Sequence, residues 1–151
     1  MAANDAIALL KADHKEVAEM LEKFETARST KAKLAQQICR ALTVHAQIEE
    51  EIFYPAARET LGDDGKDLLD AAKVEHNSLK ELIAQIEASG PEDDLFDAHV
   101  KVLGEYVKHH VKEEESELFP KLRKSDMDLV EVGEQLAARK KELMAQMKTA
   151  A

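Results

Sequence analysis

Apolar residues recur every three or four positions along most of the chain, which is the spacing of one face of an α-helix. The first such segment begins near Asn4 or Asp5, whose side chains can accept hydrogen bonds from the first helical turn. Gly62 and Gly90 interrupt the pattern, and Pro91 suits the first position of the helix that follows. The pattern predicts five helices, over about residues 5–27, 30–61, 66–88, 91–124 and 126–148.

Four of these helices are about 25 residues long, or about 37 Å at 1.5 Å per residue, and short loops join them. Helices of similar length with short connections pack as antiparallel neighbours. We therefore predict an all-α fold, an antiparallel up-down-up-down four-helix bundle over about residues 5–124 with an additional C-terminal helix at about 126–148. The length of 151 residues is that of a single domain, which we place over residues 1–151.

Composition narrows the classes of partner. The formal net charge of −10 disfavours nucleic acid and anionic membranes, because both attract surfaces rich in lysine and arginine. Cys39 is the only cysteine, so an internal disulfide and a multi-thiolate zinc site are excluded. No segment resembles a signal peptide or has the ~18 apolar residues of a membrane span, so we expect a cytoplasmic protein.

Two pairs of segments share the same order of residue types. Residues 13–25, DHKEVAEMLEKFE, align without gaps on residues 75–87, EHNSLKELIAQIE. Residues 45–55, HAQIEEEIFYP, align in the same way on residues 110–120, HVKEEESELFP. The chain is therefore interpreted as two copies of one helical hairpin, which an antiparallel bundle relates by a pseudo-twofold axis.

Each copy places a histidine and a glutamate four residues apart, so both side chains project from one helix face. A further histidine lies on the inward stripe of the preceding helix in each hairpin. The predicted inward set is His14, His45, Glu49, His76, His110 and Glu114. Buried carboxylates are costly without a positive partner, and no lysine or arginine lies on the stripes that carry these two. The set therefore predicts bound cations.

The ligand types restrict which cations fit. Four imidazoles and two carboxylates suit a pair of borderline divalent ions, with two histidines on each ion and both carboxylates bridging. The nitrogens disfavour Ca²⁺ and Mg²⁺, which prefer oxygen ligands, so iron, manganese and zinc remain.

One histidine–glutamate pair at this spacing is weak evidence in a chain so rich in glutamate. We interpret His109 and Glu113 as a coincidence, because His109 lies about 100° off the inward stripe. Tyr106 lies one turn before His110 and is our nearest candidate for a proton donor, although packing is the commoner role for such a residue. The carboxylates predicted to be solvated are Glu50, Glu51, Glu115 and Glu117.

The ordered set of motifs resembles the hemerythrin-like, or HHE cation-binding, family: LLKADH ending at His14, HAQIEEEIFYP from His45, KVEH ending at His76, and HVKEEESELFP from His110. The resemblance covers about residues 5–123. It implies a non-haem di-iron centre whose two irons share an oxo or hydroxo bridge. It assigns His14 and His45 to one iron and His76 and His110 to the other, with Glu49 and Glu114 as bridges.

The chain departs from the oxygen-carrying hemerythrins at one position. Those proteins have a further histidine one turn after the ligand of the third helix, where this chain has Lys80. The departure implies an open coordination site on the iron at His76, or a site filled by water or another side chain. It argues against reversible oxygen carriage.

Three hypotheses follow from the residues and the resemblance. The first is a di-iron protein that binds or reacts with a small oxidant, O₂, H₂O₂ or NO, including the option of a peroxide- or NO-directed oxidoreductase. The alternative is an iron or metal sensing or storage protein in which metal controls stability or partner binding. The third is a structural bundle whose histidines are plain core residues. Sequence alone ranks neither the small ligands nor the oligomeric states.

Overall fold

The computed structural model describes residues 5–150, and side chains through residue 147. Within that range every regular element is helical. The helices are α1 (Ala6–Thr26), α2 (Lys31–Ile48), α3 (Tyr54–Leu61), α4 (Lys66–Ser89), α5 (Phe96–Glu113), α6 (Phe119–Arg123) and α7 (Leu129–Ala150). Single π-helical turns, Glu49–Phe53 and Glu114–Leu118, join α2 to α3 and α5 to α6, so each pair forms one long rod.

Most helix boundaries have the predicted causes. The Asp5 carboxylate accepts a hydrogen bond from the Ala8 N–H at 2.7 Å and caps α1. Gly62 and Gly90 have φ of 56° and 74°, values that favour glycine, and each follows the end of a helix.

The predicted start of the fourth rod at Pro91 is wrong. Residues 91–95 form turns, in which the Asp93 carboxylate accepts the Leu95 N–H at 2.7 Å and the Asp93 carbonyl accepts the Phe96 N–H at 3.1 Å. These local hydrogen bonds of an aspartate compete with helix formation, so α5 begins only at Phe96.

Proline accounts for the two π-helical turns. Pro55 and Pro120 are the second residues after the turns and lack the N–H that an α-helix would require. The backbone instead closes wider rings, from the Tyr54 N–H to the Glu49 carbonyl and from the Phe119 N–H to the Glu114 carbonyl. Both wide turns begin at a glutamate of the predicted metal site.

The four long rods form the predicted antiparallel up-down-up-down bundle, and α7 packs against α1 and α2. Two buried apolar clusters fill the interior. One surrounds Phe53, Phe119 and Leu136 of α7, and the other surrounds Ile38, Ile83 and Leu103. The predicted polar set lies between the clusters, so apolar side chains seal it on both sides. In the described part of the chain, no helix is both long and apolar enough to cross a membrane.

Candidate metal centre

The structure brings all six predicted side chains to one place in the bundle. They come from α1, α2, α4 and α5 and from the first residues of the two π-helical turns, and none is more than 7% exposed. Among the described residues, the only other buried residues with ionisable carboxylate or imidazole groups are Asp5, which caps the start of α1, and Asp13, which contacts the set. Such burial requires partners for both carboxylates.

The six side chains divide into two overlapping groups of ligand atoms. His14, His45, Glu49 and Glu114 offer atoms that all lie within 4.8 Å of one another, and Glu49, His76 and His110 do the same. His14 Nε2 lies 3.0 Å from Glu114 Oε1, and His76 Nε2 lies 3.1 Å from Glu49 Oε1. Since Glu49 belongs to both groups, a carboxylate is placed to bridge two ions.

Several of these atoms lack hydrogen-bond partners. His14 Nε2, His45 Nε2, Glu49 Oε2 and Glu114 Oε1 are buried without one. His14 Nε2 and Glu114 Oε1 are close, but their orientation is not that of a hydrogen bond. Among the described residues, the two glutamates pair with imidazoles and with the hydroxyl of Tyr54, and no lysine or arginine contacts them. Buried nitrogen and oxygen atoms without hydrogen-bond partners that face the same space are the arrangement expected of ligands to a bound cation.

The pKa values of two histidines in the metal-free protein show the effect of the buried glutamates, which no lysine or arginine neutralises. Burial lowers the pKa of His45, but the charge of Glu49 and hydrogen bonds to Asp13 and Glu49 outweigh it and raise the pKa to about 10. Burial likewise opposes the rise at His110, where hydrogen bonds and charge from Glu114 and Glu49 raise the pKa to about 12. Protons on these two imidazoles therefore supply positive charge that a metal would supply.

Every histidine of the set is held by a carboxylate at its other ring nitrogen. The Nδ1–carboxylate distances are 2.6 Å for His14–Glu115, 2.9 Å for His45–Asp13, 2.8 Å for His76–Glu50 and 2.8 Å for His110–Glu75. Each Nδ1 bond leaves Nε2 free to face the centre, the arrangement typical of metal-bound histidines. Glu50 and Glu115 were predicted to be solvated, and their role at Nδ1 was missed. The available signal was that each directly follows a predicted bridging glutamate at the same position of the repeat.

Lysines bind the outer oxygens of two of these carboxylates. Lys80, at the position of the missing histidine, points outward and donates to Glu50 Oε1 at 2.6 Å. Lys140 of α7 donates to Asp13 Oδ1 at 2.5 Å. Lys80 is therefore not a ligand of the centre.

The tyrosine of the site is Tyr54, not Tyr106. Tyr106 is 48% exposed, whereas the Tyr54 hydroxyl is buried. It lies 2.6 Å from Glu114 Oε2, 3.1 Å from Glu49 Oε1, and 3.2 and 3.3 Å from the Nε2 atoms of His76 and His110. Burial and the two negative glutamates raise its pKa well above the usual value, so it stays protonated in the metal-free protein.

The π-helical turn explains why the pattern did not reveal Tyr54. In a regular α-helix, position i+5 lies about 140° around the axis from position i, so Tyr54 would point away from Glu49. The i to i+5 hydrogen bond of the wide turn stacks Tyr54 directly over Glu49 instead.

The two halves of the centre differ at this position. The equivalent of Tyr54 in the second hairpin is Phe119, whose ring stacks on His14 at 6.0 Å between centroids with an interplanar angle of 2°. One half therefore has a hydroxyl among its ligand atoms, and the other has an apolar ring. The centre is asymmetric although the hairpins are repeated.

A small cavity lies beside the four imidazoles, on a side that neither Tyr54 nor the two glutamates line. Its volume is about 20 Å³, in the measure by which one water needs roughly 10–15 Å³. The wall is largely apolar: Val17, Leu42, Ala46, Leu79, Val107 and Val111. A molecule of two or three non-hydrogen atoms fits there, shielded from bulk water.

Comparison with protein families and structures bears on this arrangement. The chain matches the hemerythrin HHE cation-binding domain over residues 5–122. It also superposes on the crystal structure of a hemerythrin HHE cation-binding domain-containing protein from Mycobacterium kansasii with a TM-score of 0.79. That match covers 94% of this chain and 88% of the other at 21% identity, so it supports the fold.

Two curated proteins are similar over part of the chain. A protein of Nostoc sp. named DNA nickase is 40% identical over 88 residues, which are 58% of this chain and 24% of that protein. An uncharacterized hemerythrin-like protein of Schizosaccharomyces pombe is 25% identical over 114 residues, 74% of this chain and 56% of that protein. The chain spans about a quarter and about half of these relatives, respectively. The predicted absence of a nucleic-acid partner stays a prediction.

Proposed function

This chain belongs to the hemerythrin HHE cation-binding family, as its motifs indicated, and from that premise we propose that its buried centre holds two iron ions and binds or reacts with a small oxidant. The observation that supports the proposal most strongly is the convergence of four imidazole Nε2 atoms and two buried carboxylates, several of them without hydrogen-bond partners. Imidazole and carboxylate together suit iron, and also manganese and zinc.

We assign the ligands by the two groups of atoms. His14 and His45 would hold one ion and His76 and His110 the other, with Glu49, which belongs to both groups, as one bridge. Glu114 belongs to the first group, and its Oε2 lies 3.4 Å from His110 Nε2 of the second, so it would be the other bridge. The carboxylates at each Nδ1 fix the ring orientations and raise the basicity of the ligand nitrogens.

Asymmetry of the centre decides where a small molecule binds. The Tyr54 hydroxyl lies within 3.3 Å of both His76 and His110 and takes the position that the missing histidine leaves open. At His14 the equivalent position has the Phe119 ring, which offers no ligand atom. The open position is therefore on the His14–His45 ion. The sequence left two alternatives at His76, an open site or a site filled by water or another side chain, and this assignment adopts the second, with Tyr54 as the side chain.

Apolar side chains of this chain limit which molecules can reach the position where the small ligand would bind. When bound, a redox-active iron pair would supply Lewis acidity and electrons to the small molecule. Valine, leucine and alanine side chains around the cavity exclude bulk water and leave room for molecules of two or three non-hydrogen atoms. The buried Tyr54 hydroxyl lies beside the glutamates, keeps its proton in the metal-free protein, and would release that proton when its oxygen binds metal.

Metal content and the visible spectrum test the proposal. Protein produced with iron should contain two irons per chain and show charge-transfer absorption of a coupled ferric pair that azide perturbs. His110→Gln should lose at least one iron, whereas the matched control His99→Gln, on the same helix but outside the centre, should keep both. Protein that stays colourless after iron loading, or a His110→Gln variant with full iron content, would contradict the proposal.

A contact of α7 favours metal sensing as a second candidate function. Lys140 binds Asp13, and Asp13 binds His45, so the C-terminal helix is connected to one half of the centre through two polar contacts. Metal at His45 would then stabilise the packing of α7. Chelation should in that case expose α7 to proteolysis while leaving the other helices protected; equal protection with and without metal would reject sensing through α7.

A further inference from the structure

A second group of metal-ligand side chains lies on the outer face of the α4–α5 pair. His109 Nε2 lies 3.4 Å from Glu75 Oε2 and 3.6 Å from Glu113 Oε2, and ligand atoms of all three residues lie within 4.8 Å of one another. The His109 side chain is 69% exposed, and those of Glu75 and Glu113 are 22% and 24% exposed. The sequence analysis interprets His109 and Glu113 as a coincidence because His109 lies off the inward stripe. In the structure, Glu75 of the neighbouring helix lies beside them.

The separations are those of ligands to one ion. Two ligands at about 2.1 Å from a tetrahedral metal are about 3.4 Å apart, longer than a hydrogen bond. The buried pairs His45–Glu49 and His110–Glu114 have the same i, i+4 spacing as His109–Glu113, and their separation of 3.4 Å is close to its 3.6 Å. The outer histidine and glutamate thus repeat the local geometry of the inner ones, and Glu75 completes a facial set of three from a second helix.

The internal repeat gives an independent indication that a positive charge belongs beside the outer oxygen of Glu75. Asp13 is the equivalent of Glu75: each uses one oxygen to hold a histidine of the centre and has a second oxygen facing outward. In the first hairpin, that outer oxygen contacts the ammonium of Lys140 from α7. The equivalents of His109 and Glu113 there are the apolar Val44 and Ile48, which pack in the core cluster that α7 joins. In the second hairpin, the outer oxygen of Glu75 faces His109 and Glu113.

We propose that Glu75, His109 and Glu113 form a third metal site, an exposed and exchangeable site for a divalent ion of the Fe²⁺, Mn²⁺ or Zn²⁺ class. One imidazole and two carboxylates suit these ions, and three protein ligands leave positions for water, as an ion in exchange requires. The net charge of −10 favours the capture of cations from solution.

The location of the site points to a role in loading the buried centre. A gap of about 10 Å³ between α4 and α5 has Glu113 on its wall together with His110 and Glu114 of the centre. Glu75 contacts His109 with one oxygen and His110 with the other. A single side chain, that of Glu75, therefore connects an ion at the outer site to His110, a ligand of the buried centre. This loading role rests on the proposed function, whereas the outer site itself does not.

Manganese titration tests the site. Aqueous Mn²⁺ loses its sharp electron paramagnetic resonance signal when bound, so the signal counts bound ions. Protein whose centre is already filled with iron should bind one further Mn²⁺. Loss of an outer-shell partner alone costs about 10–100-fold in affinity. His109→Gln and Glu113→Gln should therefore weaken Mn²⁺ binding by at least that factor, and Glu81→Gln, an equal charge change elsewhere on α4, should not.

Iron uptake tests the loading role. Metal-free His109→Gln should fill its buried centre several-fold more slowly than the wild type or Glu81→Gln, yet reach the same final iron content and spectrum. Absence of a further Mn²⁺ ion, or equal Mn²⁺ affinity in all variants, overturns the site. Equal uptake rates overturn the loading role. A chain that never acquires iron but binds Mn²⁺ at His109 refutes the proposed function and leaves the outer site standing.

Discussion

Filling the buried centre with divalent ions should release protons in a number that the structure predicts. In the metal-free protein, His45 has a pKa of about 10 and His110 a pKa of about 12, so both are protonated at pH 8. A metal ligand must be neutral imidazole, so each of the two ions displaces one of these protons. Tyr54, protonated because burial and the glutamates raise its pKa, should lose a third proton if its oxygen binds metal.

The magnitude follows from the distance between each pKa and the working pH. Removing a proton at pH 8 costs about 3 kcal/mol at His45 and about 5 kcal/mol at His110, at 1.36 kcal/mol per unit. Metal binding must supply this free energy. The overall equilibrium constant for metal binding should therefore rise about tenfold for each unit of increase in pH and for each proton released.

Calorimetric titration with Zn²⁺ measures the release directly. Zinc avoids redox changes, and titrations at pH 8 in buffers with different heats of ionisation give the number of protons. We expect about three for the wild type and about two for Tyr54→Phe. No release in either protein would refute the charge balance at the centre, and equal release in both would refute Tyr54 as a ligand.

Three further predictions concern stability and the surroundings of the ligands. Without metal, Tyr54→Phe should lose about 2 kcal/mol and about 4–8 °C in thermal midpoint, because Glu114 loses a 2.6 Å hydrogen bond; melting followed by circular dichroism measures it. The raised pKa of His45 contributes stability that is complete below about pH 6.5 and lost as pH rises through about 10, so the metal-free midpoint should fall across that window. Asp13→Asn should weaken one of the two zinc-binding steps by about 10–100-fold, seen in stepwise titration, because His45 loses its orienting carboxylate.

The fold was predictable because its causes are local and repeated. The spacing of apolar residues predicts where the helices lie, and glycines mark where they end. Because short loops connect consecutive helices, an antiparallel bundle is the compact arrangement. The inward position of the histidines and glutamates followed from the same periodicity. The start of α5 was not predictable at this level, because a few hydrogen bonds of Asp93 outweighed the preference of Pro91 for a first helical position.

The details of the centre depend on geometry that a regular helix does not have. The wide turn at Glu49 directs the Tyr54 side chain into the centre. A regular helix of 3.6 residues per turn would direct that side chain away from the centre. Contacts between helices, such as Glu115 with His14 or Glu75 with His109, require the relative heights of two rods. The sequence pattern assigns faces of helices, but it does not assign those heights.

The most direct test of the central claim is a crystal structure of iron-loaded protein with anomalous scattering measured at the iron edge. We predict two strong peaks in the bundle, one against the Nε2 atoms of His14 and His45 and the other against those of His76 and His110. A single peak, or a centre without anomalous density around the six side chains, would contradict the account.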